Sequence, residues 1–310
     1  MNTTSFVSIV CPVYNEEEAI LAFYNRIKSV MAPLSDRYEY ELVFTNNCSE
    51  DGTLDIISSL RESDKRVQAL TLSRNFGYQA SVLAGINYSI GDATVVIDVD
   101  CEDPPEMLPI FLEKWREGYD IVYGLRGDRP EPRMLVAVRR LFYRILKMVA
   151  DTDIILDMAE FALVTARVRS EMSNNSNSFP FLRAEIGYAG FSRLGIKYDR
   201  QKRVVGKSKY NLWKMLKFAV AGIVSVSTFP LRFAVYAWPF LVALNVFFLW
   251  SYFDKGWING LFVLVALDLI YAISMITVHG VYLARIYKNI IARPIFVIDW
   301  NLSLVNRLPK

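Results

Sequence analysis

Histidine is almost missing from this sequence: His279 is the only one in 310 residues. Cysteine is nearly as scarce, with Cys11, Cys48 and Cys101 alone. Their spacing is not that of a zinc site, and an odd number in a reducing compartment argues against a disulfide framework. They are expected to be small buried residues. No Gly-x-Gly-x-x-Gly follows the first apolar run, and no Walker-type Gly-Lys-Ser/Thr occurs. The two common phosphate-cradling loops are thereby excluded, and a phosphate would have to be held by metal and cationic side chains. The net charge is only +3, which gives no case for nucleic acid as a partner. The opening residues offer only the short apolar run FVSIV without a basic lead, so no signal peptide is expected.

Apolar residues, by contrast, are abundant, and the surplus is concentrated late in the chain. Residues 233–253 (FAVYAWPFLVALNVFFLWSYF) carry no charge, and 257–283 are interrupted by Asp268 and, near the end, His279. Each run is about long enough to cross a bilayer, and only Asp254-Lys-Gly-Trp257 separates the two at their ends. The pattern predicts a transmembrane helical hairpin. Lys214, Lys217 and Arg232 precede it and Arg285, Lys288 and Arg293 follow it. The positive-inside rule then places both ends, and the N-terminal domain, in the cytoplasm. Asp268 would be costly facing lipid, so it is expected to face the other helix or a second subunit. His279 suits an interfacial position better than ligation. Before the hairpin, Asn211–Thr228 places Leu212, Met215, Leu216, Ala219 and Val220 on one helical face, with Trp213, Lys214 and Lys217 suited to a membrane interface. The same pattern would also suit an amphipathic core helix. The expected division is a domain over 1–210, a juxtamembrane helix over 211–230, the two spans within 231–285, and a cytosolic tail over 286–310.

The first 210 residues alternate short apolar runs with helical patterns. Strands are expected at 6–12, 41–45, 67–72, 93–98 and 121–123, with helices at 16–31, up to 60, at 79–90 and at 105–117. This β-α rhythm predicts an α/β domain with a mostly parallel, Rossmann-like sheet covered by helices. Ligands of such sheets bind beyond the C-terminal ends of the strands, and the unusual residues fall there. Pro12-Val-Tyr-Asn-Glu16 follows the first strand, Asn46-Asn47 the second, Ser73-Arg-Asn-Phe-Gly77 the third, and Gly124-Leu-Arg126 the fifth. Tyr14 can stack on a base; Glu16 and the Asn side chains can hydrogen-bond a base edge or a ribose.

The fourth strand runs into VVIDVDCEDPPE, residues 95–106, where five carboxylates crowd together. Repulsion and desolvation make that costly unless something positive sits among them. Asp98 and Asp100 can project from a strand end towards one divalent cation, with Glu102 a third oxygen donor, and Mg²⁺ or Mn²⁺ prefers such ligands. Asp103-Pro-Pro-Glu106 reads instead as the start of the next helix. A basic run, Arg200, Lys202, Arg203, Lys207 and Lys209, is either a solvated or headgroup-facing surface or the dock of an anionic lipid phosphate. Asn174–Ser178 reads as a mobile lid or as an ordinary loop.

Taken together, CPVYNEE (11–17), LSRNFGYQAS (72–81), IDVDCEDPPE (97–106), VYGLRGDR (122–129), RVVGKSKY (203–210), FPLR (229–232) and ARPIF (292–296) resemble an inverting family-2 glycosyltransferase of the GT-A fold. The resemblance is to the polyprenyl-phosphate group, the bactoprenol glucosyltransferases and dolichol-phosphate mannosyltransferases. It implies that Pro12, Tyr14 and Glu16 contact the donor nucleotide, with Asn46, Asn47 and Asp98 beside it, and that Asp98, Asp100 and Glu102 hold the metal. It implies further that Arg126 lies by the diphosphate and that Arg200, Arg203 and Lys209 hold donor or acceptor phosphate. Asp157 takes the acidic position proposed as catalytic, together with Asp100; Glu160 is the alternative base. The chain departs from the group's pattern in three places. Asn46-Asn-Cys-Ser49 stands where Asp-Asp-Gly-Ser is usual, Glu102 where Gln is usual, and Ala159-Glu-Phe-Ala162 where Gly-Asp-Phe-Arg is common.

The implied reaction transfers a hexose, with glucose from UDP-glucose preferred, to undecaprenyl phosphate, inverting the anomeric centre to give a β-linked product at the cytoplasmic membrane face. An ionised phosphate is already a nucleophile, so positioning and charge neutralisation carry most of the catalysis. GDP-mannose-dependent mannosyl transfer is the alternative, and self-association into a homo-oligomer is compatible with the pattern. A processive polysaccharide synthase would carry a Gln-x-x-Arg-Trp motif, absent here. A non-catalytic nucleotide-sugar-binding protein is favoured only by the departures at 46–47 and 160–162.

Overall fold

The computed structural model describes residues 4–127, 144, 147–151, 155, 158–173, 182–201, 223–224 and 227–307. The chain forms two compact units. One comprises Met1–Val138, Ile154–Lys209 and Pro294–Lys310, and the other Arg139–Asp153 and Tyr210–Arg293.

The first unit is built on a seven-stranded sheet. In chain order its elements are β1 (Ser5–Val13), α1 (Glu17–Met31), β2 (Tyr38–Asn46), α2 (Thr53–Ser63), β3 (Val67–Thr71), α3 (Tyr78–Tyr88), β4 (Ala93–Val96), α4 (Leu108–Arg116), β5 (Ile121–Arg126), β6 (Met158–Thr165), α5 (Ala166–Ser173), α6 (Leu182–Ala189) and β7 (Arg193–Tyr198). The strands lie in the order β3-β2-β1-β4-β6-β5-β7. Every pairing is parallel except those of β6, which runs antiparallel to both β4 and β5. The α/β class expected from the rhythm of the sequence is what the chain adopts.

The sheet is covered on both faces, which is why its central strands read as continuous apolar runs rather than alternating ones. Val7, Ile9 and Cys11 of β1 enter one core with Phe23, Phe44, Phe111 and Phe161, whereas Val10 enters the other with Val82, Ile86 and Val164. Phe111 of α4 stacks on Phe161 of β6, ring centres 4.5 Å apart. α3 lies so close to the sheet that a β-carbon at Gly85 would stand 2.3 Å from Cγ1 of Val10.

Residues 294–307 return to the free edge of β3. Ala69 and Leu304 exchange backbone hydrogen bonds of 2.9 and 2.7 Å, Asp299 N–H donates to Thr71 at 2.8 Å, and Ser73 N–H donates to Val297 at 2.9 Å. Phe296, Ile298 and Val305 pack against Val43, Leu70 and Leu72. The β3 edge of the sheet is thereby covered by backbone pairing, which keeps it from serving as an open template for another chain.

The second unit holds two long helices, α7 (Phe229–Lys255, 27 residues) and α8 (Ile258–Ile291, 34 residues). At 1.5 Å per residue they are roughly 40 and 50 Å long. Both are long and apolar enough to cross a bilayer. Gly256 (φ 64°) closes α7 in the left-handed conformation that lets the chain reverse. Asp268 turns to the other helix, accepting a hydrogen bond of 3.2 Å from Asn245, and the Tyr271 hydroxyl donates to the Ala234 carbonyl. Most of the expected juxtamembrane helix over 211–230 lies outside the described residues.

Candidate active site

Strand direction gathers the functional loops. β1 to β4 are mutually parallel, and β5 and β7 run the same way because β6 is antiparallel to β4 and β5. The segments after β1, β2, β3, β4, β5 and β7, and the beginning of β6, therefore share one edge of the sheet, the edge where such folds bind ligands.

Three non-glycine residues in these loops hold left-handed backbone: Asn15 (φ 54°), Cys48 (φ 59°) and Cys101 (φ 56°). Such conformations persist where the surroundings over-determine them, and they cluster at functional sites. Here the surroundings are hydrogen bonds between loops. Asn15 N–H donates to Ser49 Oγ and Glu16 N–H to Thr53 Oγ1, while Glu50 and Gly52 donate N–H groups to the side chains of Asn15 and Glu17. The loops after β1 and β2 are thus fastened together. Pro12 is buried within β1, Glu16 is half-buried, and Tyr14 is presented to solvent at 40% exposure.

Asn46 and Asn47 are both buried, and their amides build this rim from within. Asn46 Oδ1 accepts from Ser49 N–H at 3.0 Å. Asn47 donates to Asn75 Oδ1 at 3.0 Å and accepts from Phe76 N–H at 2.9 Å, so both ends of its amide serve the loop after β3.

The acidic loop after β4 is half-buried at Asp98, Asp100 and Glu102. Asp98 accepts a 2.7 Å hydrogen bond from the Tyr78 hydroxyl, Asp100 accepts from Glu102 N–H at 3.0 Å, and Glu102 forms an ion pair with Arg200. Burial, the neighbouring Asp103, Asp100 and Glu160 carboxylates, and the opposing pull of the Tyr78 hydroxyl leave the Asp98 carboxyl pushed up to about 7. Crowded acids of this kind call for positive charge. Among the described residues, no group of three Asp, Glu, His or Cys side chains stands ready to hold an ion, since each carboxylate faces its own partner. The chemistry of the donor set, three hard carboxylates, nevertheless fits a divalent cation. Glu160 Oε2 and Arg126 Nε are buried without a hydrogen-bond partner among the described residues, so the site has bonding capacity that its own side chains do not use.

Asp103-Pro-Pro-Glu106 does start the helical segment that follows, with Pro105 as its first residue and Glu106 in its first turn, but Asp103 itself does not cap it. Asp103 is almost fully buried beneath the loop, accepting a 3.0 Å bond from Arg126 and another from the Tyr198 hydroxyl. The turn beyond it begins at Pro105 with Pro104 before it. The proline pair explains this: it supplies the turn's start and frees the aspartate to point inward. Burial works against the charge on Arg126, but the Asp103 carboxylate outweighs it and holds the guanidinium firmly protonated. Glu160 of β6 is buried and ion-paired at 3.0 Å with Arg183 of α6. Tyr78 and Asp103 lie within the motifs LSRNFGYQAS and IDVDCEDPPE but carried no expected site role, and Arg183 lies in no quoted motif, because a residue's place at the site depends on the direction of its strand or helix. Asp157, Arg203 and Lys209, and the stretch Asn174–Ser178, lie outside the described residues.

Residues 8–167, which contain most of β1, β2 to β6 and all of the loops above except that after β7, match glycosyl transferase family 2. The chain belongs to glycosyl transferase family 2. As a family-2 glycosyltransferase it is similar along nearly its whole length to curated relatives. An uncharacterized glycosyltransferase of Bacillus subtilis (strain 168) is 36% identical, over 97% of this chain and 95% of the relative. The bactoprenol glucosyl transferase of Shigella phage SfX is 34% identical, over 94% and 98%. Among solved structures, mannosyl-3-phosphoglycerate synthase from Rubrobacter xylanophilus is similar at 18% identity, with a TM-score of 0.46 over 70% of this chain and 71% of that one.

Proposed function

We propose that this glycosyltransferase moves a hexose from a nucleotide sugar to the phosphate of a membrane polyprenol, with UDP-glucose as donor and undecaprenyl phosphate as acceptor. The observation that carries this reading is the meeting, at one sheet edge, of an acidic loop with two guanidiniums, Arg126 and Arg200, in a chain that also contains a long apolar hairpin. Similarity over nearly the full length to relatives named bactoprenol glucosyl transferase supports the choice of lipid and sugar. Tyr14 and Glu16, on the rim, would receive the nucleoside, while Asn46 and Asn47 hold the wall behind it.

Asp98, Asp100 and Glu102 would hold a divalent cation, Mg²⁺ or Mn²⁺, which when bound supplies Lewis-acid stabilisation to a diphosphate leaving group. Arg126, kept charged and oriented by Asp103, neutralises phosphate oxygens at the β5 end. The acceptor phosphate is already ionised near neutral pH, so no strong general base is required. Glu160, fixed by Arg183, orients the reacting groups, and Asp157, one residue before β6, shares that role. A single in-line attack inverts the anomeric centre and gives a β-linked product from an α-linked donor. The hairpin would cross the membrane twice with both ends cytoplasmic, as the basic residues flanking it favour. The return of residues 294–307 to β3 supports two crossings, since the chain leaves the sheet domain and comes back to it.

The test is transfer from radiolabelled UDP-glucose, with GDP-mannose in parallel, to undecaprenyl phosphate in detergent with and without EDTA. An EDTA-sensitive, lipid-extractable glucosyl product that is lost in Asp100→Ala, with the fold retained, is expected. Label from GDP-mannose alone would correct the donor, and no lipid product from either would overturn the reading.

A further inference from the structure

We propose that residues 296–298, which pair with the edge of the sheet beyond β3, are positioning residues of the donor site. They hold the loop of residues 73–77 against Asn47 and so set the wall behind the nucleoside. The inference rests on the donor site proposed above and deepens it, giving that site a wall fixed from its outer side.

β3 ends at Thr71, and the chain enters the loop through Leu72 and Ser73. The backbone is held there on both edges. On one edge Leu72 N–H donates to the Asn46 carbonyl at 2.8 Å. On the other, Leu72 bridges to Ile298 and Ser73 N–H donates to the Val297 carbonyl at 2.9 Å. The direction in which the loop leaves the sheet is therefore set by Asn46 and by residues 297 and 298 together. Side chains repeat the arrangement. Phe296 and Ile298 are half-buried while Val297 between them is 48% exposed, the period-two pattern of an extended strand. Phe296 and Ile298 pack against the buried cluster of Val43, Leu70 and Leu72, and Phe76 of the loop packs against the same cluster.

What the loop carries makes its direction matter. Asn75 Oδ1 accepts from Asn47 Nδ2 at 3.0 Å and from Gly77 N–H at 2.9 Å, and Phe76 N–H donates to Asn47 Oδ1 at 2.9 Å. Directly after the loop, the Tyr78 hydroxyl donates to Asp98 at 2.7 Å. The loop thus stands between residues 296–298 and two groups of the proposed donor site, Asn47 and Asp98. Hydrogen bonds of this length are lost when donor and acceptor separate by much under 1 Å, so a small outward drift of the loop is enough to release both groups. The far end of the same segment serves the strand rather than the loop. Leu304 exchanges backbone hydrogen bonds with Ala69 inside β3 and packs against the other, larger core. Loss of packing at Ile298 frees the loop, whereas loss of packing at Leu304 loosens only the strand before it.

Ile298→Ala and Leu304→Ala make a matched pair, since each takes the same number of carbons from a half-buried residue that bridges to the β3 edge. Full-length protein in detergent is compared for wild type and both variants by thermal midpoint, by hydrogen exchange across residues 72–78, and by the KM for UDP-glucose and for undecaprenyl phosphate. Ile298→Ala is expected to speed exchange at 73–77 and to raise the KM for UDP-glucose roughly fivefold, with the KM for undecaprenyl phosphate unchanged. Leu304→Ala is expected to lower the midpoint by a similar amount while exchange at 73–77 and both KM values stay at wild type. Ile298→Val should fall between wild type and Ile298→Ala. Equal changes in the two alanine variants would overturn the proposal, because the segment would then be a staple of the sheet and nothing more. Unchanged exchange or an unchanged donor KM in Ile298→Ala would overturn it as well. If an alanine variant does not fold, Ile298→Val against Leu304→Val carries the same comparison with smaller shifts. A wild type that transfers sugar from neither UDP-glucose nor GDP-mannose would remove the proposed function and this inference with it. An active wild type whose donor KM does not separate the two variants would remove the inference alone.

Discussion

Glu41 sits in the middle of β2 at 3% exposure, where an uncompensated carboxylate would be severely destabilising. Arg307 grips both of its oxygens, at 2.8 and 3.0 Å, while Ser8 and Gln68 each donate at 2.6 Å. Arg307 in turn donates to the Tyr88 carbonyl and lies over the Tyr88 ring. Removing one partner of such a pair leaves a buried charge alone, so Arg307→Ala is expected to cost about 3 kcal/mol, visible as a lowered midpoint in thermal unfolding. The pH dependence follows from the direction of the shift. Burial pushes the Glu41 carboxyl up, but Arg307, Ser8 and Gln68 together hold it below the ordinary range. A depressed folded-state pKa means the contribution is fully present above the unfolded value of about 4.3 and is lost as pH falls through the lower folded value. Thermal midpoints should therefore drop in the wild type below about pH 4.3, and Glu41→Gln should be less stable at neutral pH yet flatter across that range. A Glu41→Gln profile as steep as the wild type would contradict this account of the pair.

Among the elements, α3 and β1 show how tightly the core is specified. Gly85 faces β1, and a β-carbon there would meet Val10 Cγ1 at 2.3 Å and Thr45 Cγ2 at 3.1 Å. Two effects oppose each other in Gly85→Ala: a gain in helix propensity of about 1 kcal/mol and an overpacking cost of about 1–3 kcal/mol. Because Val10 is wholly buried and cannot withdraw, overpacking should win, and the variant should melt lower than wild type. A raised midpoint would show that α3 can shift outward. The first five strands and the four helices between them were legible because their periodicities are clean and their boundaries carry turn residues. β6 and β7 were less so. The stretch Met158–Thr165 carries Glu160 inside an otherwise apolar run, which drew attention to chemistry rather than to a strand. Its antiparallel direction, which brings the start of β6 to the site, cannot be read from composition because either direction buries the same side chains. The loops of the site were found from the strand-end rule. The pairings within them, Asp103 with Arg126 and Glu102 with Arg200, depend on side chains nearly a hundred residues apart in the second case and were hidden for that reason.

At the scale of the molecule, the chain starts in the sheet domain, runs through the helical hairpin, and finishes on the edge of β3. The hairpin itself was plain in the sequence, from the length and uniformity of its apolar runs. The docking of 294–307 was not, since the docking residues Phe296, Ile298, Leu304 and Val305 are too sparse to declare a strand and their partner edge lies over two hundred residues earlier. If the hairpin crosses the membrane with both ends cytoplasmic, Lys255→Cys, at its exposed turn, should react with an impermeant maleimide in intact cells. Lys288→Cys, exposed near the far end of α8, should react only after permeabilisation, both in a Cys48→Ser background. The reverse pattern would invert the topology. The central claim is that the sheet edge joins a sugar to a lipid phosphate, and phosphorus NMR of undecaprenyl phosphate turned over by the purified protein tests it most directly. The account predicts that the phosphate monoester signal is replaced by that of a phosphodiester, in step with release of nucleoside diphosphate, and that Asp100→Ala abolishes the change. Nucleotide release with the monoester signal untouched would contradict it, because the sugar would then have gone to another acceptor.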